Sequence, residues 1–308
     1  MTDPVIRVSG LRKSYGDVEA VQGIDLEVEA GEIFGFLGPN GAGKTTTVEI
    51  LEGYRDRSAG DVSVLGVDPG KADRAWRERI GIVLQQSRMH PELTVKETLQ
   101  LFGGYYAQPR DVDETIELVG LTEKADTRVL RMSGGQQRRL DVGLALIGDP
   151  ELLFLDEPTT GFDPSARRHA WEVIGSLRDL GKTVFLTTHY MEEAQALADR
   201  LAVIARGEIV AEGSPADLGG RETAAARITF RVPSEAVPGL PMDGAQTAAG
   251  NGGTDIVIEA QDPVPALATL TSWAVDHGVE LSGLEVRRPS LEDVYIELTG
   301  AAEAEYRE

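Results

Sequence analysis

A lysine and a threonine follow a glycine-rich turn early in the chain, and this combination is suited to holding phosphate groups. The stretch contains Gly38, four further residues, and then Gly43-Lys44-Thr45, which is the Walker A spacing. Backbone N–H groups of such a loop converge on phosphate oxygens, Lys44 adds a positive charge, and the Thr45 hydroxyl can hold Mg²⁺. The pattern predicts a nucleoside triphosphate site formed by Gly38, Pro39, Asn40, Gly41, Ala42, Gly43, Lys44, Thr45 and Thr46.

Two adjacent carboxylates form the second set of candidate groups. Asp156 and Glu157 end an apolar run and precede a proline, which is the Walker B arrangement. We expect Asp156 to complete a Mg²⁺ shell and Glu157 to orient or deprotonate the attacking water. Acids at the end of a strand can also be solvated surface residues, but Pro158 stops the strand where the phosphates should lie.

Gln85 and His189 also follow apolar runs that are typical of buried strands. Because the carboxyl ends of parallel strands meet at one edge of a sheet, these two side chains and Asp156 can lie close together. Each of the two residues also has a structural interpretation without a role in the site. A glutamine at the end of a strand can equally be a surface residue, and a lone histidine after a strand is usually structural.

A second glycine-rich helix start begins at Ser133 and runs through Gly134, Gly135 and Gln136. Serine is a favoured residue for capping a helix, and the free N–H groups of a helix start bind anions. The chain is therefore predicted to carry two phosphate-recognition elements.

Hydrophobic periodicity indicates which elements position these residues. A buried strand precedes the Walker A turn, a helix follows it, and the spacing from Thr94 to about Arg128 is helical. Beyond residue 215 the composition shifts to a small α+β appendage with a loose Gly-, Ala- and Pro-rich segment at 238–253. We expect a large domain at 1–220, with a helical subdomain at about 88–145, and an accessory domain at 221–308. Further strands are expected at 5–8, 23–29, 60–66, 80–84, 152–155, 183–188, 227–232, 255–259 and 279–286, and helices at 265–275 and 290–298.

Composition limits the kinds of site, partner and compartment that are expected for this chain. The 308 residues include no cysteine, which excludes a disulfide framework and a thiolate metal site. The formal net charge of -21 argues against nucleic acid or an anionic membrane surface as the main partner. No run approaches the ~18 apolar residues of a membrane span, and the N-terminus lacks the features of a signal peptide. We therefore expect a soluble, cytosolic chain.

Residues from about 5 to 215 resemble the ATP-binding subunit of an ABC transporter, because the motifs occur together and in the family's order. The match comprises Walker A at Gly38 to Thr46, the Q-loop at Gln85, the signature at Ser133 to Gln136, Walker B at Leu152 to Glu157, and the H-loop at His189. The resemblance implies an α/β fold of the ABC type of P-loop NTPase. That fold has a mixed sheet core, an antiparallel β subdomain and a helical subdomain. The segment from Arg288 to Gly300 resembles the end of daunorubicin-resistance-type subunits, which serve ABC-2-type exporters.

The resemblance also implies roles for individual residues. Tyr15 matches the aromatic residue that stacks on adenine, and Asp163 matches the acid of the D-loop. In the family, ATP on one subunit is closed over by the signature of another, which assigns Ser133, Gly135 and Gln136 to a site formed in trans in a homodimer. His189 would contact the γ-phosphate, and Gln85 would join Thr45 and Asp156 at Mg²⁺. Met132 in place of leucine and Gly161-Phe162 before the D-loop acid depart from the common pattern without removing a catalytic group.

The expected function is an ATP-hydrolysing motor on the cytoplasmic face of the membrane that drives export through a separate permease. The family docks that permease on the helical region from Thr94 to Arg128 together with Gln85. The substrate could be a drug, an antibiotic or a lipid-like compound. The main alternative is a soluble ABC ATPase that acts on nucleic acid or ribosomes, which the acidic composition disfavours. A small-molecule P-loop kinase would have neither the signature nor His189.

Overall fold

The computed structural model describes residues 3–84, 89–220, 224–242, 245–250 and 253–305. The chain divides into two compact units, one formed by Met1–Pro215 with Ala301–Glu308 and the other by Ala216–Gly300. Composition alone placed a boundary at 220/221, a few residues later. No helix among the described residues is long and apolar enough to cross a bilayer.

The described residues of the first unit form an α/β structure with two sheets. Its strands are β1 (Ile6–Tyr15), β2 (Val18–Val28), β3 (Ile33–Leu37), β4 (Ala59–Val64), β5 (Ile80–Val83), β6 (Leu152–Asp156), β7 (Thr183–Thr188), β8 (Arg200–Ala205) and β9 (Glu208–Gly213). Its helices are α1 (Lys44–Leu51), α2 (Arg74–Arg77), α3 (Val95–Gly103), α4 (Val112–Leu118), α5 (Gly134–Leu146), α6 (Pro164–Asp179) and α7 (Met191–Leu197).

The larger sheet has the order β5-β6-β7-β3-β8-β9 within the described part of the chain. The strands from β5 to β8 are parallel to their neighbours, and β9 is antiparallel to β8. Strand β3 is buried along its whole length, as its uninterrupted apolar sequence predicts for a strand covered on both faces. Phe34, Phe36 and Phe154 surround Phe185 with ring centroids 5.5–5.9 Å apart. The sheet core therefore fixes β3, β6 and β7 side by side.

The smaller sheet is antiparallel, with the order β2-β1-β4 among the described residues. Strand β1 is longer than the strand expected at 5–8 and extends to Tyr15. The region from Thr94 to Arg128 forms two α-helices, α3 and α4, with short 3₁₀ turns after them. Strands β8 and β9 and helix α6 had not been predicted.

The second unit is an α+β structure. Its strands are β10 (Ala226–Val232), β11 (Gln246–Gly250), β12 (Gly253–Ala260) and β13 (Ser282–Arg287), and its helices are α8 (Pro263–His277) and α9 (Leu291–Glu305). The described strands form an antiparallel sheet in the order β11-β12-β10-β13. Its apolar core joins Phe230 and Ile256 of the sheet to Leu270 and Trp273 of α8. Strand β11 lies within the segment that the sequence suggested was loose, and β13 begins later than expected.

Candidate nucleotide site

The glycine-rich turn between β3 and α1 is held by close backbone packing. A Cβ atom on Gly38 would lie 2.4 Å from the carbonyl oxygen of Ile204, and one on Gly43 would lie 2.6 Å from that of Ala20. Gly43 also adopts a φ of 110° and precedes α1 without a side-chain cap. Both positions therefore require glycine, and the first N–H groups of α1 remain available for a ligand.

Lys44 is 5 % exposed and turns back into its own loop. Its Nζ donates to the carbonyl oxygens of Gly38 (2.7 Å) and Pro39 (3.2 Å) and lies 3.7 Å from Oε1 of Glu157. Burial lowers the pKa of Lys44, while the charges of Glu157 and Asp156 act in the opposite direction. The loop thus holds the ammonium group at the position where phosphate charge is expected.

Asp156 ends β6 beside β7, and its carboxylate accepts a hydrogen bond from the Thr187 hydroxyl. Burial raises the pKa of Asp156, and the neighbouring charge of Glu157 raises it further, against the effect of the Thr187 hydrogen bond. A carboxylate with a raised pKa beside other acids gains from a nearby cation. Its environment therefore suits a hard metal ion or another positive group.

Glu157 has an uncommon backbone conformation for a residue with a side chain, with a φ of 45°. Its N–H donates to the carbonyl oxygen (3.2 Å) and to the hydroxyl (3.1 Å) of Thr187. Its Oε2 accepts from the Thr160 hydroxyl at 3.2 Å, and the side chain is only 11 % exposed. Left-handed backbone at such a residue costs about 1–3 kcal/mol and is concentrated at functional sites.

His189 follows β7 and brings its ring to the same carboxylate. Its Nδ1 lies 3.2 Å from Oε1 of Glu157, although the geometry is not that of a hydrogen bond. This buried nitrogen has no hydrogen-bond partner in the described part of the chain. Lys44, Glu157 and His189 therefore meet beside the ends of β6 and β7. Gln85 lies outside the described residues.

The second glycine-rich helix start is exposed and internally capped. The Ser133 hydroxyl accepts from the Gln136 N–H (3.3 Å), and the Gln136 amide oxygen accepts from the Ser133 N–H (3.0 Å). Ser133 and Gly134 are exposed, and Gly135 is partly exposed. Ser133, Gly135 and Glu157 border an open cleft of about 1640 Å³. The helix start therefore presents N–H groups outward.

The two residues assigned by resemblance alone occupy different settings. The Tyr15 ring is 41 % exposed, with Lys13 Nζ 5.1 Å and the Arg55 guanidinium carbon 5.2 Å from its centroid. Asp163 caps α6 by accepting from the N–H groups of Ser165 and Ala166, which lowers the pKa of its carboxyl.

Sequence reasoning missed two residues at this site. Thr187 hydrogen-bonds both acids, and Arg138 donates to backbone carbonyls at the ends of β5 and β6. Strand β7 ends in two threonines, and a hydroxyl at the end of its apolar run was the available signal for Thr187. Arg138 gave none, because an arginine on a helix is usually exposed.

Comparison with known proteins identifies the family. The family model described as "ABC transporter" matches residues 21–160, and the one described as "ABC transporter domain-containing protein-like, C-terminal domain" matches residues 226–290. Nod factor export ATP-binding protein I of Ralstonia nicotianae is 42% identical, over 96% of this chain and 94% of its own. The chain belongs to the ABC transporter family. As a family member with this site, it is an ATPase.

One further relative and one solved structure are also similar to this chain. Daunorubicin resistance ATP-binding protein DrrA3 of Streptomyces coeruleorubidus is 39% identical, over 97% of each chain, in agreement with the resemblance seen at Arg288 to Gly300. Among solved structures, a dimeric ATP-binding cassette in a post-hydrolysis state bound to ADP and Pi superposes with a TM-score of 0.60 at 25% identity. It covers 68% of this chain and 98% of its own. The ABC-type fold expected from the motifs is confirmed.

Proposed function

We propose that this ABC ATPase powers the export of a substrate through a separate ABC-2-type membrane permease. The observation that carries the catalytic part is the meeting of three groups: Oε1 of Glu157 lies 3.7 Å from Lys44 Nζ and 3.2 Å from His189 Nδ1. This proximity of a cation, an acid and an imidazole supports the proposed roles of Lys44 at the phosphates and of Glu157 and His189 at the attacking water. Export is supported by the names of the relatives, which refer to export and drug resistance.

In the proposed mechanism, the N–H groups of the Walker A turn and Lys44 bind the phosphates of ATP. Glu157 accepts the proton of the attacking water, and its carboxylate is oriented by the Thr160 hydroxyl and by the fixed backbone of its own turn. His189 holds the water and the γ-phosphate in line. Such catalysis consists mainly of positioning and electrostatic stabilisation.

Mg²⁺ fits the oxygen donors of this site. The described residues contain no group of three or more His, Cys, Asp or Glu that could hold a metal by itself, and Mg²⁺ usually takes one or two protein oxygens together with phosphate oxygens. Thr45 and Asp156 would hold it, with Gln85 as a third ligand proposed from the family pattern. Bound there, it would neutralise charge on the phosphates.

Two copies of the chain would complete two ATP sites. The start of α5 is exposed, and its cap is made by its own residues, so Ser133, Gly135 and Gln136 are available to the nucleotide of a second copy. Tyr15 would stack on adenine, and Asp163 would contribute at the same interface. We place the permease on the helical subdomain, which would bring the chain to the cytoplasmic face of the membrane. We propose the second unit as an accessory domain.

The test is co-expression of the tagged chain with the hydrophobic protein encoded by the adjacent open reading frame. We expect the two to purify together from detergent-solubilised membranes and to accumulate substrate in inverted vesicles when ATP is added. A Lys44→Ala chain should keep the complex and lose transport. Isolation of the chain on ribosomes or RNA, with no permease complex, would instead support the non-transport alternative and contradict the proposal.

A further inference from the structure

Arg138 is buried inside the first unit although it lies on the helix that carries the exposed signature. It follows Ser133 by five residues and is 9 % exposed. Its Nε donates to the carbonyl oxygen of Pro158 at 3.0 Å, and its Nη1 donates to that of Leu84. Its Nη2 donates to the carbonyl oxygens of Asp156 at 3.0 Å and Glu157 at 3.4 Å.

These acceptors belong to the ends of two neighbouring strands. Asp156 ends β6 and Leu84 directly follows β5. Three consecutive carbonyl groups, at 156, 157 and 158, point at one guanidinium, whose planar set of five N–H donors suits such an arrangement. Asp141, on the same helix, lies 3.7 Å from Nη1 and balances the buried charge. Several hydrogen bonds and one ion pair therefore fix the Arg138 side chain in the core.

The hydrogen bonds of Arg138 surround Glu157, the residue with the left-handed backbone. Arg138 binds the carbonyl group on each side of the Glu157 backbone, and Thr187 binds its N–H. The peptide planes that set the direction of the Glu157 side chain are thus held from α5 and from β7. A shift of α5 would move those planes.

A second buried charge holds the other end of the same turn. Glu193 of α7 is 0% exposed, and its Oε1 accepts from the Thr159 hydroxyl at 2.7 Å and from Trp171 Nε1 at 3.1 Å. The turn at 156–159 is therefore fixed between α5 and α7. Movement of α5 relative to α7 would be transmitted to the turn.

We propose that Arg138 is a positioning residue that links the signature to the catalytic turn of the same subunit. Ordering of Ser133 to Gln136 by the nucleotide of a second copy would then also place Glu157 for hydrolysis of the first ATP. This proposal rests on the homodimer described under the proposed function. Arg138 itself touches no reacting atom.

The test compares Arg138→Gln and Arg138→Lys with Arg139→Gln. Arg139 is the matched control, because it lies on the same helix and donates to the carbonyl oxygen of Gly120 (2.8 Å), away from the catalytic turn. Three quantities are measured: the Kd of a fluorescent ATP analogue, kcat with KM, and the ATP concentration that dimerises each chain in a Glu157→Gln background. Thermal unfolding and circular dichroism establish that each variant is folded at the assay temperature.

We expect Arg138→Gln to keep the Kd within about twofold while kcat falls about tenfold or more and dimerisation needs about tenfold more ATP, since the charge-assisted hydrogen bonds that connect α5 to the catalytic turn are lost. Arg138→Lys, which keeps the charge but not the planar set of donors, should be intermediate. Arg139→Gln should match the wild type. An Arg138 variant that lowers kcat without changing the ATP concentration for dimerisation would overturn the link, and so would the reverse. A variant with a lower Tm but unchanged kcat and dimerisation would also overturn it. If the Glu157→Gln chain with Arg138 intact formed no ATP-dependent dimer, the homodimer itself would be wrong and the link with it.

Discussion

Helices α1 and α5 both begin at glycine-rich turns, yet their first turns are built differently. Helix α1 has no side-chain cap, and its first residue, Lys44, is buried within 3.7 Å of Glu157. Helix α5 is capped by Ser133 and Gln136 and begins at the surface. The first start thus lies against an acidic side chain of its own chain, whereas the second presents its N–H groups outward.

The two helices also differ in the position of their buried positively charged side chain. In α1 the buried cation, Lys44, lies at the helix start and contacts the carbonyl groups of its own loop and Glu157. In α5 the buried cation, Arg138, lies further along the helix and points back to the carbonyl groups of the catalytic turn. The comparison supports the proposal that α1 binds the nucleotide of its own chain, while α5 offers a surface to a second copy and is connected internally to the turn that carries Glu157.

The largest effect should come from removing the acid beside the first helix start. We expect Glu157→Gln to lower ATP turnover by at least ~100-fold, the usual contribution of a general base, while ATP remains bound and an ATP-dependent dimer accumulates. Steady-state phosphate release and size-exclusion chromatography measure the two quantities. Glu151→Gln, at the other end of β6, should stay near wild-type turnover. Wild-type turnover in Glu157→Gln would remove this residue from its assigned role.

A substitution at the second helix start tests whether it acts in trans. We expect Ser133→Arg to leave ATP binding by the monomer intact but to lower hydrolysis by about 100-fold, because the new side chain blocks access to N–H donors of the oxyanion type. Equilibrium binding and phosphate release are the measurements. Thr122→Arg introduces the same side chain elsewhere on the helical subdomain and serves as the control. Unchanged hydrolysis in Ser133→Arg would show that the two helix starts do not depend on one another.

The far end of α1 provides a pH test. Burial, with Asp156 and Glu49 nearby, raises the pKa of Glu52 from 4.5 to about 8. The folded state then holds a proton between those pH values that the unfolded state has released, so the free energy of unfolding falls as pH rises through this window. Each pKa unit is worth about 1.4 kcal/mol.

We therefore expect Glu52→Gln to be more stable than wild type at pH 8 by ~1–3 kcal/mol and to match it near pH 4.5. Urea unfolding at several pH values measures the difference. The exposed Glu117 on α4 is the control position, and Glu117→Gln should preserve the wild-type pH profile. A Glu52→Gln profile parallel to that of wild type would mean that folding does not raise the pKa of Glu52.

The smallest effect should arise from the aromatic residue before the first helix start. Stacking of a base on an aromatic ring is worth roughly 1–3 kcal/mol, so we expect Tyr15→Ala to raise the KM for ATP by about tenfold with kcat little changed. Tyr15→Phe keeps the ring and should keep the KM. Steady-state kinetics checks both, and equal KM values for the Ala and Phe variants would show that the ring does not bind the base.

Much of the site was predictable because its chemistry is encoded locally. Glycine spacing located Lys44, and apolar runs located Asp156, Glu157 and His189 at neighbouring strand ends. Serine before two glycines predicted the capped start of α5. Each of these signals lies within a few residues of the group it predicts.

The remaining features depend on distant parts of the chain or lack a local signal. Arg138 meets Leu84, 54 residues earlier, and no periodicity records that contact. Strand β8 follows the end of α7 with no glycine or proline between them, so its apolar run reads as a continuation. Strand β11 has the sequence QTAAG, whose alanines and glycine have low strand propensity.

The backbone at Glu157 has a consequence for directed evolution. Its φ of 45° is a conformation that glycine adopts without strain and that asparagine tolerates better than glutamate. We therefore expect selection for heat resistance alone to favour those residues at position 157 and to remove the carboxylate that we propose as the proton acceptor. A screen for thermostable variants of this ATPase should therefore include turnover, because we expect the more stable protein at this position to be the inactive one.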